Sequence, residues 1–73
     1  MLFDFNKLRG RIIEKYGSYV FFAEAAGISK ATLSGKLSNK VRITSDEMVA
    51  WSSPDMLDIP PVEIPIYFLT KKV

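Results

Sequence analysis

Apolar residues recur at helical spacing from the start of the chain and predict a first helix. The stripe consists of Phe5, Leu8, Ile12 and Tyr16. Residues three or four apart lie on one face of a helix, so this face is expected to be buried. Asp4 precedes the stripe, and its carboxylate can cap the helix. Gly17 is expected to end the helix, because glycine adopts the left-handed conformation without steric strain.

The same pattern predicts two more short helices on either side of Gly27. Ser18 is the expected cap of the second helix, which runs to about Ala26. Its inner face is predicted to contain Phe22, Ala23 and Ala26. Ser29 is the expected cap of the third helix, in which Leu33 and Leu37 face the core.

A fourth helix is predicted after residue 44. Thr44 and Glu47 have the spacing of a capping box, in which each side chain bonds the backbone amide of the other residue. The residues predicted to point inward are Met48, Val49 and Trp51. The helix must stop near Ser52, because Pro54 has no amide hydrogen and restricts the residue before it.

The region beyond residue 52 is predicted to be less regular. Ser53 followed by Pro54 suits a short fifth helix through about Leu57. Three prolines then forbid a long helix, so residues 60–73 are expected to form an irregular tail with at most one helical turn near Val62. The tail residues expected to cover the core or a second subunit are Ile64, Ile66, Phe68 and Leu69.

Cysteine and histidine are both absent from the 73 residues. This composition excludes the common zinc sites and the Ser–His and Cys–His nucleophile pairs. The eight acidic residues form no tight pair of carboxylates. We therefore expect a protein that is not an enzyme and that has no metal, cofactor or small-molecule substrate.

The length predicts a single domain over residues 1–73. No apolar run approaches the roughly 20 residues that a membrane-spanning helix needs. The N-terminus lacks the basic and apolar regions of a signal peptide. We expect a soluble, intracellular protein without a membrane partner.

The net charge is only +2, but the charges are unevenly distributed. Residues 29–42 contain four basic residues and no acidic one, whereas residues 44–63 contain five acidic residues and no basic one. Such a dipole would orient the basic end toward a polyanion. The alternative is that the solvated helix faces simply differ in charge.

Residues 18–38 have the pattern of a helix-turn-helix. Two helices that cross closely need a small residue at the crossing, a glycine at the turn and apolar residues behind them. Ala23, Gly27, Ile28 and Leu33 provide these at offsets 0, 4, 5 and 10. A generic helical bundle is the alternative.

Four segments carry a resemblance to a known family: "FDFNKLRGRIIEKYGS", "FAEAAGIS", "TLSGKLSNK" and "IYFLTKKV". Over nearly the whole chain, the sequence resembles small Cro-like and repressor-modulating regulators of temperate phages that infect Gram-positive bacteria. The resemblance implies an all-α, compact five-helix domain of the phage-repressor (lambda repressor-like) type. It also implies a role in the choice between lysogenic and lytic growth, in the cytoplasm of a bacterial host cell.

The resemblance further implies how the helix-turn-helix would meet DNA. Lys30, Ala31, Ser34 and Gly35 of the third helix would face the major groove. Ser18 and Tyr19 would lie against phosphates.

The start of the second helix departs from the pattern of such DNA-binding proteins. They usually offer glutamine and other polar or basic side chains there, which bond phosphate oxygens. This chain has Tyr19, Val20 and Phe21 instead. Since Phe22 points inward, at least one of these three is expected to be exposed, and exposed aromatic clusters are typical of protein-binding surfaces. Alternatively, Tyr19 or Phe21 covers the first helix or the C-terminal tail.

The third helix is also poor in side chains that read bases. Only Lys30 and Lys36 have the required reach, whereas Ala31 could touch a thymine methyl and Ser34 could bond either base type. The small residues at 31, 34 and 35 would equally let another helix approach closely.

Two functions are consistent with these observations. In the first, the protein is an anti-repressor or modulator that binds the DNA-binding domain of a phage repressor through its helix-turn-helix face. The partner-binding residues would be Tyr19, Val20, Phe21, Lys30, Ala31, Ser34 and Gly35. In the alternative, it is an ordinary Cro-like repressor that binds operator DNA. The DNA-binding residues would then be Ser18, Tyr19, Lys30, Ala31, Thr32, Ser34, Lys36, Lys40 and Arg42.

Overall fold

The computed structural model describes residues 2–72, which form five α-helices and one 3-10 turn. The elements in chain order are α1 (Asn6–Tyr16), α2 (Tyr19–Ala26), α3 (Lys30–Leu37), α4 (Ser45–Ser52), the 3-10 turn (Pro61–Glu63) and α5 (Ile64–Phe68). The predicted fold class, a compact all-α arrangement of five short helices, is confirmed.

The predicted serine caps of α2 and α3 and the predicted glycine stops of α1 and α2 are confirmed. The Ser18 hydroxyl accepts a hydrogen bond from the Phe21 amide at 3.3 Å, and the Ser29 hydroxyl accepts one from the Thr32 amide at 3.0 Å. Gly27 ends α2 with φ of 74°, a conformation that few residues other than glycine adopt without strain. These local signals set the angle between α2 and α3.

The start of α1 differs from the prediction by one residue. Phe5 is the residue that precedes the helix, and its side chain provides no cap. Asp4 lies one position earlier, but its carboxylate still accepts a hydrogen bond from the Asn6 amide at 2.9 Å. The carboxylate therefore satisfies one of the unpaired amides of the first turn, as expected for an acidic residue at a helix start.

The capping box of α4 is confirmed, but one inward residue was assigned wrongly. The Thr44 hydroxyl accepts from the Glu47 amide at 3.2 Å, and the Glu47 carboxylate accepts from the Thr44 amide at 2.9 Å. Trp51 is buried and Met48 is half-buried against the core, whereas Val49 is 66% exposed. Val49 follows Met48 by about 100° around the helix, which turns it to solvent.

The fifth helix lies in the C-terminal tail and not at residues 54–57. Pro54 and the three residues after it form turns, closed by a bond from the Leu57 amide to the Trp51 carbonyl at 2.9 Å. Pro61 lies at the start of the 3-10 turn and Pro65 lies at the start of α5, where no backbone amide donor is needed. The prolines therefore divide the tail into two short helical pieces, and they do not prevent helix formation.

The core contains a row of aromatic rings that joins α1, α2, α4 and α5. Phe22 meets Tyr16 and Trp51 edge to face, with ring centroids 5.2 and 5.1 Å apart. Trp51 continues the row to Phe68 at 6.3 Å. Phe68 is fully buried, as predicted for the tail, but Ile66 and Leu69 are exposed. Edge-to-face aromatic pairs add to area burial, so this row fixes α2 against the rest of the fold.

The two ends of the described chain pair with each other and with the turn after α3. Phe3 and Lys71 form an antiparallel bridge, and the Asp4 amide donates to the Thr70 carbonyl at 2.8 Å. The Asn39 side chain accepts from the Phe3 amide and donates to the Phe3 carbonyl, both at 2.9 Å. These bonds hold the α3–α4 connection against the N-terminal segment.

Candidate functional site

The start of α2 exposes apolar side chains, as the sequence predicts. Phe21 is 62% exposed and Val20 is 40% exposed. Tyr19 is half-buried and packs against the core. Of the two rings that could have covered the fold, Tyr19 and Phe21, only Tyr19 therefore does so. The first turn of α2 contains no charged residue, and the Ser18 hydroxyl is occupied by its cap bond. We call Val20 and Phe21 the α2 apolar patch.

The first turns of α3 expose polar and small residues. Lys30, Ala31 and Ser34 are exposed, whereas Thr32 is half-buried. The Thr32 hydroxyl accepts from the Ser29 hydroxyl at 2.9 Å, which joins it to the cap of the helix. Within residues 2–72, no carboxylate forms an ion pair with Lys30. Lys30, Ala31 and Ser34 therefore present one basic group and two small side chains to solvent.

Three of the predicted residues meet at a small pocket between α1, α2 and α3. The pocket has a volume of about 90 Å³ and is lined by Arg9, Tyr19, Lys30, Leu33, Ser34 and Leu37. Leu33 and Leu37 are buried, so they provide an apolar floor, while Lys30 and Ser34 reach solvent. We call this concavity the basic pocket.

Arg9 is a member of the basic pocket that the sequence analysis missed. Its guanidinium donates a hydrogen bond to the Leu37 carbonyl at 2.9 Å, across 28 positions of the chain. Arg9 directly follows Leu8 of the buried stripe, so a helical projection of α1 would have placed a cation at the border of the core. The projection alone would not have shown which neighbour it meets.

The structure corrects the predicted role of Gly35. A methyl group at this position would lie 3.3 Å from the Val41 Cγ2 atom, which is closer than ordinary contact. The Gly35 carbonyl accepts from the amides of Lys40 and Val41 at 2.9 and 3.1 Å. Gly35 therefore faces the turn that follows α3, and the close approach it allows is made by the chain itself and not by an outside helix.

Lys36, predicted as a DNA-binding residue, is buried. Its ammonium donates to the Glu47 carboxylate at 2.9 Å and to the Arg42 carbonyl at 3.2 Å. Burial alone would raise the pKa of Glu47, but hydrogen bonds from Thr44 and the nearby Lys36 charge lower this pKa below its usual value. Lys36 therefore joins the end of α3 to the start of α4 and is not available to a phosphate.

Lys40 and Arg42 are exposed, but they border a different concavity. This cleft of about 780 Å³ lies between the paired termini and the α3–α4 connection, and it shares no lining residue with the basic pocket. Its lining residues are Phe3, Phe5, Asn39, Lys40, Val41, Arg42, Ile43, Thr44, Ser45, Met48, Phe68 and Leu69. Eight of the nine residues predicted for DNA binding are thus divided among the basic pocket, the cleft, the helix caps and the interior, and the ninth, Ala31, is exposed on α3 outside both concavities.

Residues 2–72 contain no group of three or more acidic, histidine or cysteine side chains that could hold a metal ion. Within the same range, none of the helices has the length and apolar character that a membrane-spanning helix requires.

Five short helices, an exposed apolar start of α2 and a basic pocket define the class of small all-α domains, and the fold is similar to that of a solved phage protein. That protein is the modulator of repression (MOR) of the temperate bacteriophage TP901-1 from Lactococcus lactis, known from a solution structure. The similarity has a TM-score of 0.80 and a sequence identity of 40%, and it covers 100% of this chain and 96% of that chain.

A family model described as Protein of unknown function (DUF739) matches residues 1–71, and the chain belongs to this family. No curated protein matches the sequence. The predicted resemblance to repressor-modulating proteins of temperate phages is therefore confirmed through a modulator of repression, whereas the Cro-like assignment stays a prediction.

Proposed function

We propose that this protein modulates the lysogenic–lytic switch of a temperate phage by binding the DNA-binding domain of a phage repressor. In this proposal α2 and α3 act as a helix-turn-helix whose outer face meets a protein. The contact residues are the α2 apolar patch together with Tyr19, Lys30, Ala31 and Ser34. The function is one of binding, so it requires no catalytic step, cofactor or small-molecule substrate.

The exposure of Phe21 is the observation that carries the proposal. A phosphate offers nothing to an aromatic ring, whereas burial of a phenylalanine side chain in an interface contributes about 1.5 to 3 kcal/mol. Phe21 is 62% exposed at the start of α2, where a DNA-binding helix-turn-helix normally presents polar groups. Aromatic residues are also enriched at the centres of protein interfaces.

The composition of the neighbouring surface fits the same use. The α2 apolar patch is adjacent in sequence to Tyr19, which lines the basic pocket together with Lys30 and Ser34. An apolar anchor beside a small number of polar and charged groups is the usual anatomy of an interface core and its rim. The similarity to the TP901-1 modulator of repression, at 40% identity over the full chain, supports a repressor as the partner.

The test is binding of the repressor encoded by the phage genome that carries this gene, measured by calorimetry with its DNA-binding domain. Phe21→Ser is expected to weaken binding by about 30-fold or more, because an interface anchor is lost. Val62→Ser is the matched control, because Val62 is 84% exposed and lies far along the chain in the 3-10 turn. It is expected to bind like the wild type.

Equal affinities of the Phe21→Ser variant and the wild type would contradict the proposal. Both variants should keep the unfolding temperature of the parent within a few degrees, since both side chains are exposed. This check separates loss of the anchor from loss of the fold.

A second candidate function, binding of operator DNA, is favoured by the exposed cations. Lys30, Lys40 and Arg42 are exposed, and none of them forms an ion pair within residues 2–72. With Lys36 buried, three phosphate contacts predict a log–log salt slope of about −2.7 for duplex binding. Tight binding with this slope that persists in Phe21→Ser would favour the operator function over the modulator.

A further inference from the structure

The basic pocket has two cations in its walls and no acidic residue among its lining side chains. Arg9 and Lys30 provide the cations, and Tyr19 and Ser34 are also lining residues. Among residues 2–72, the ion pairs are Arg11–Glu14 and Lys36–Glu47, so neither cation of the pocket is neutralised by this part of the chain. The pocket is therefore complementary to an anion.

Arg9 is held in position before any ligand arrives. One guanidinium nitrogen donates to the Leu37 carbonyl at 2.9 Å, which fixes the group against α3. A guanidinium carries five N–H donors, so others remain for an incoming acceptor. Arginine forms paired hydrogen bonds with carboxylates, and a fixed guanidinium loses little side-chain freedom when it binds.

The size and floor of the pocket favour one kind of anion. Its volume of about 90 Å³ is enough for the end of one side chain. Leu33 and Leu37 form an apolar floor that suits methylene groups. A glutamate or aspartate side chain offers methylenes and a carboxylate together, whereas a DNA phosphodiester has no apolar stem and is flanked by two sugars.

We infer that the basic pocket binds a carboxylate side chain of the repressor. This inference rests on the proposed function and specifies what the partner must present. Lys30 lies in the first turn of α3, where the helix dipole disfavours a cation and favours an anion beside it. A carboxylate in the pocket relieves that unfavourable charge and gives the interface a charge-based selectivity.

The first experiment measures repressor binding by charge-neutralising variants. Arg9→Gln and Lys30→Gln are each expected to weaken binding about tenfold or more, since a charge-assisted hydrogen bond is lost in each. Lys15→Gln is the matched control, because Lys15 is an exposed lysine of α1 that does not line the pocket. It is expected to change the affinity less than twofold.

This comparison separates failure of the inference from failure of the proposed function. If Phe21→Ser weakens binding while Arg9→Gln and Lys30→Gln bind like Lys15→Gln, the modulator function stands and the carboxylate pocket is overturned. The two variants alter different elements, so an unfolded Arg9→Gln protein would still leave Lys30→Gln as the decisive measurement.

The second experiment needs no repressor. The full chain is titrated in NMR experiments with N-acetylglutamic acid α-amide, with N-acetylglutamine amide as the uncharged control and dimethyl phosphate as the phosphodiester probe. We expect the amide signals of Lys30 and Ser34 to shift when the glutamate derivative is added and to stay in place with the glutamine derivative. In the Arg9→Gln variant, the glutamate derivative should no longer shift these signals.

Larger shifts with dimethyl phosphate than with the glutamate derivative would overturn the inference and assign the pocket to a nucleic-acid phosphate. No response to either anion would also overturn it. A response to the glutamate derivative without any repressor binding would keep the carboxylate pocket and overturn the proposed partner.

Discussion

The two ends of α3 use the same residue type in opposite ways. Lys30, in the first turn, is exposed and lines the basic pocket, whereas Lys36, in the last turn, is buried and bonded to Glu47 at 2.9 Å. Both are lysines within a stretch that contains no acidic residue. The difference comes from a neighbour outside that stretch, because the partner of Lys36 lies in α4.

This difference changes the function that can be assigned to the helix. A count of basic residues treats Lys36 as a fourth phosphate contact, but its charge holds α3 to α4. The free cations that remain in this region are divided between two concavities, with Lys30 at the basic pocket and Lys40 and Arg42 at the cleft. The surface of α2 and α3 is therefore less basic than its sequence indicates, which favours a protein partner.

The largest expected effect is the loss of stability when Lys36, in the last turn of α3, loses its charge. Lys36→Met keeps an unbranched apolar stem but removes the ammonium, so the Arg42 carbonyl loses its donor and Glu47 loses its counter-charge. We expect the free energy of unfolding to fall by about 2 kcal/mol. Lys30→Met should change it by less than about 0.5 kcal/mol. Chemical denaturation of both variants measures the difference, and equal effects would contradict the distinct roles.

A second prediction concerns the pH dependence of the Lys36–Glu47 contact. The pKa of Glu47 is lower in the folded protein than its usual value, so the folded state binds this proton less readily than the unfolded state. The stabilisation is present above the usual glutamate pKa of about 4.3 and is lost as the pH falls through the lowered value. The effect should be smaller than that of Lys36→Met, because the hydrogen-bonded cap of α4 remains in part.

Unfolding measured between pH 7 and pH 2.5 tests this prediction. The wild type should lose more stability over this range than Glu47→Gln, in which no proton binds at position 47. Parallel curves for the two proteins would show that the ion pair does not link stability to pH.

A third prediction compares Gly35 at the end of α3 with Gly10 in α1. An added methyl group at Gly10 would meet nothing within 4 Å, so Gly10→Ala should raise the free energy of unfolding by about 1 kcal/mol through helix propensity. At Gly35 the methyl group would lie 3.3 Å from the exposed Val41 side chain, which must shift. Gly35→Ala should therefore stabilise by less than about 0.5 kcal/mol. Thermal unfolding of both variants ranks them, and an equal gain would show that Val41 offers no resistance.

The smallest effect is expected at the other ion pair, which has the same length. Arg11 and Glu14 are also joined at 2.9 Å, but the Glu14 side chain is 64% exposed, against 23% for Glu47. Glu14→Gln should lower the free energy of unfolding by less than about 0.5 kcal/mol, because exposed pairs are weakened by solvent. The same denaturation series measures it. A loss equal to that of Lys36→Met would mean that burial does not distinguish the two pairs.

Much of the fold can be predicted from the sequence, but only part of the candidate site can. The caps at Ser18, Ser29 and Thr44 and the exposure of the α2 start follow from residue spacing and are confirmed. The fifth helix was predicted at residues 54–57 and lies at Ile64–Phe68, because the prolines occupy the first turns of helical pieces where they are compatible with helix. The predicted inward direction of Val49 is wrong, because its neighbour Met48 packs against the core and Val49 points to solvent.

Within the candidate site, the residues that sequence reasoning placed wrongly or missed all have partners outside their own helix. Lys36 meets Glu47, Gly35 meets Val41, and Arg9 meets Leu37 across 28 positions. The spacing of residues along one helix cannot reveal such contacts, since each depends on the position of a residue outside that helix. The predicted exposure of Phe21 is confirmed, because it depends only on the inward direction of Phe22 in the same helix.

The sequence by itself determined where α2, α3 and α4 begin. It also determined the position of the turn between α2 and α3 and the apolar character of the start of α2. These features depend on caps, glycines and side-chain directions within about four residues of each other, and such short-range interactions form wherever the segment is helical. The tertiary structure alone decided which lysine of α3 is free and that Arg9 joins the basic pocket. These outcomes depend on burial and charge pairing between helices, which come into existence only when the helices pack together.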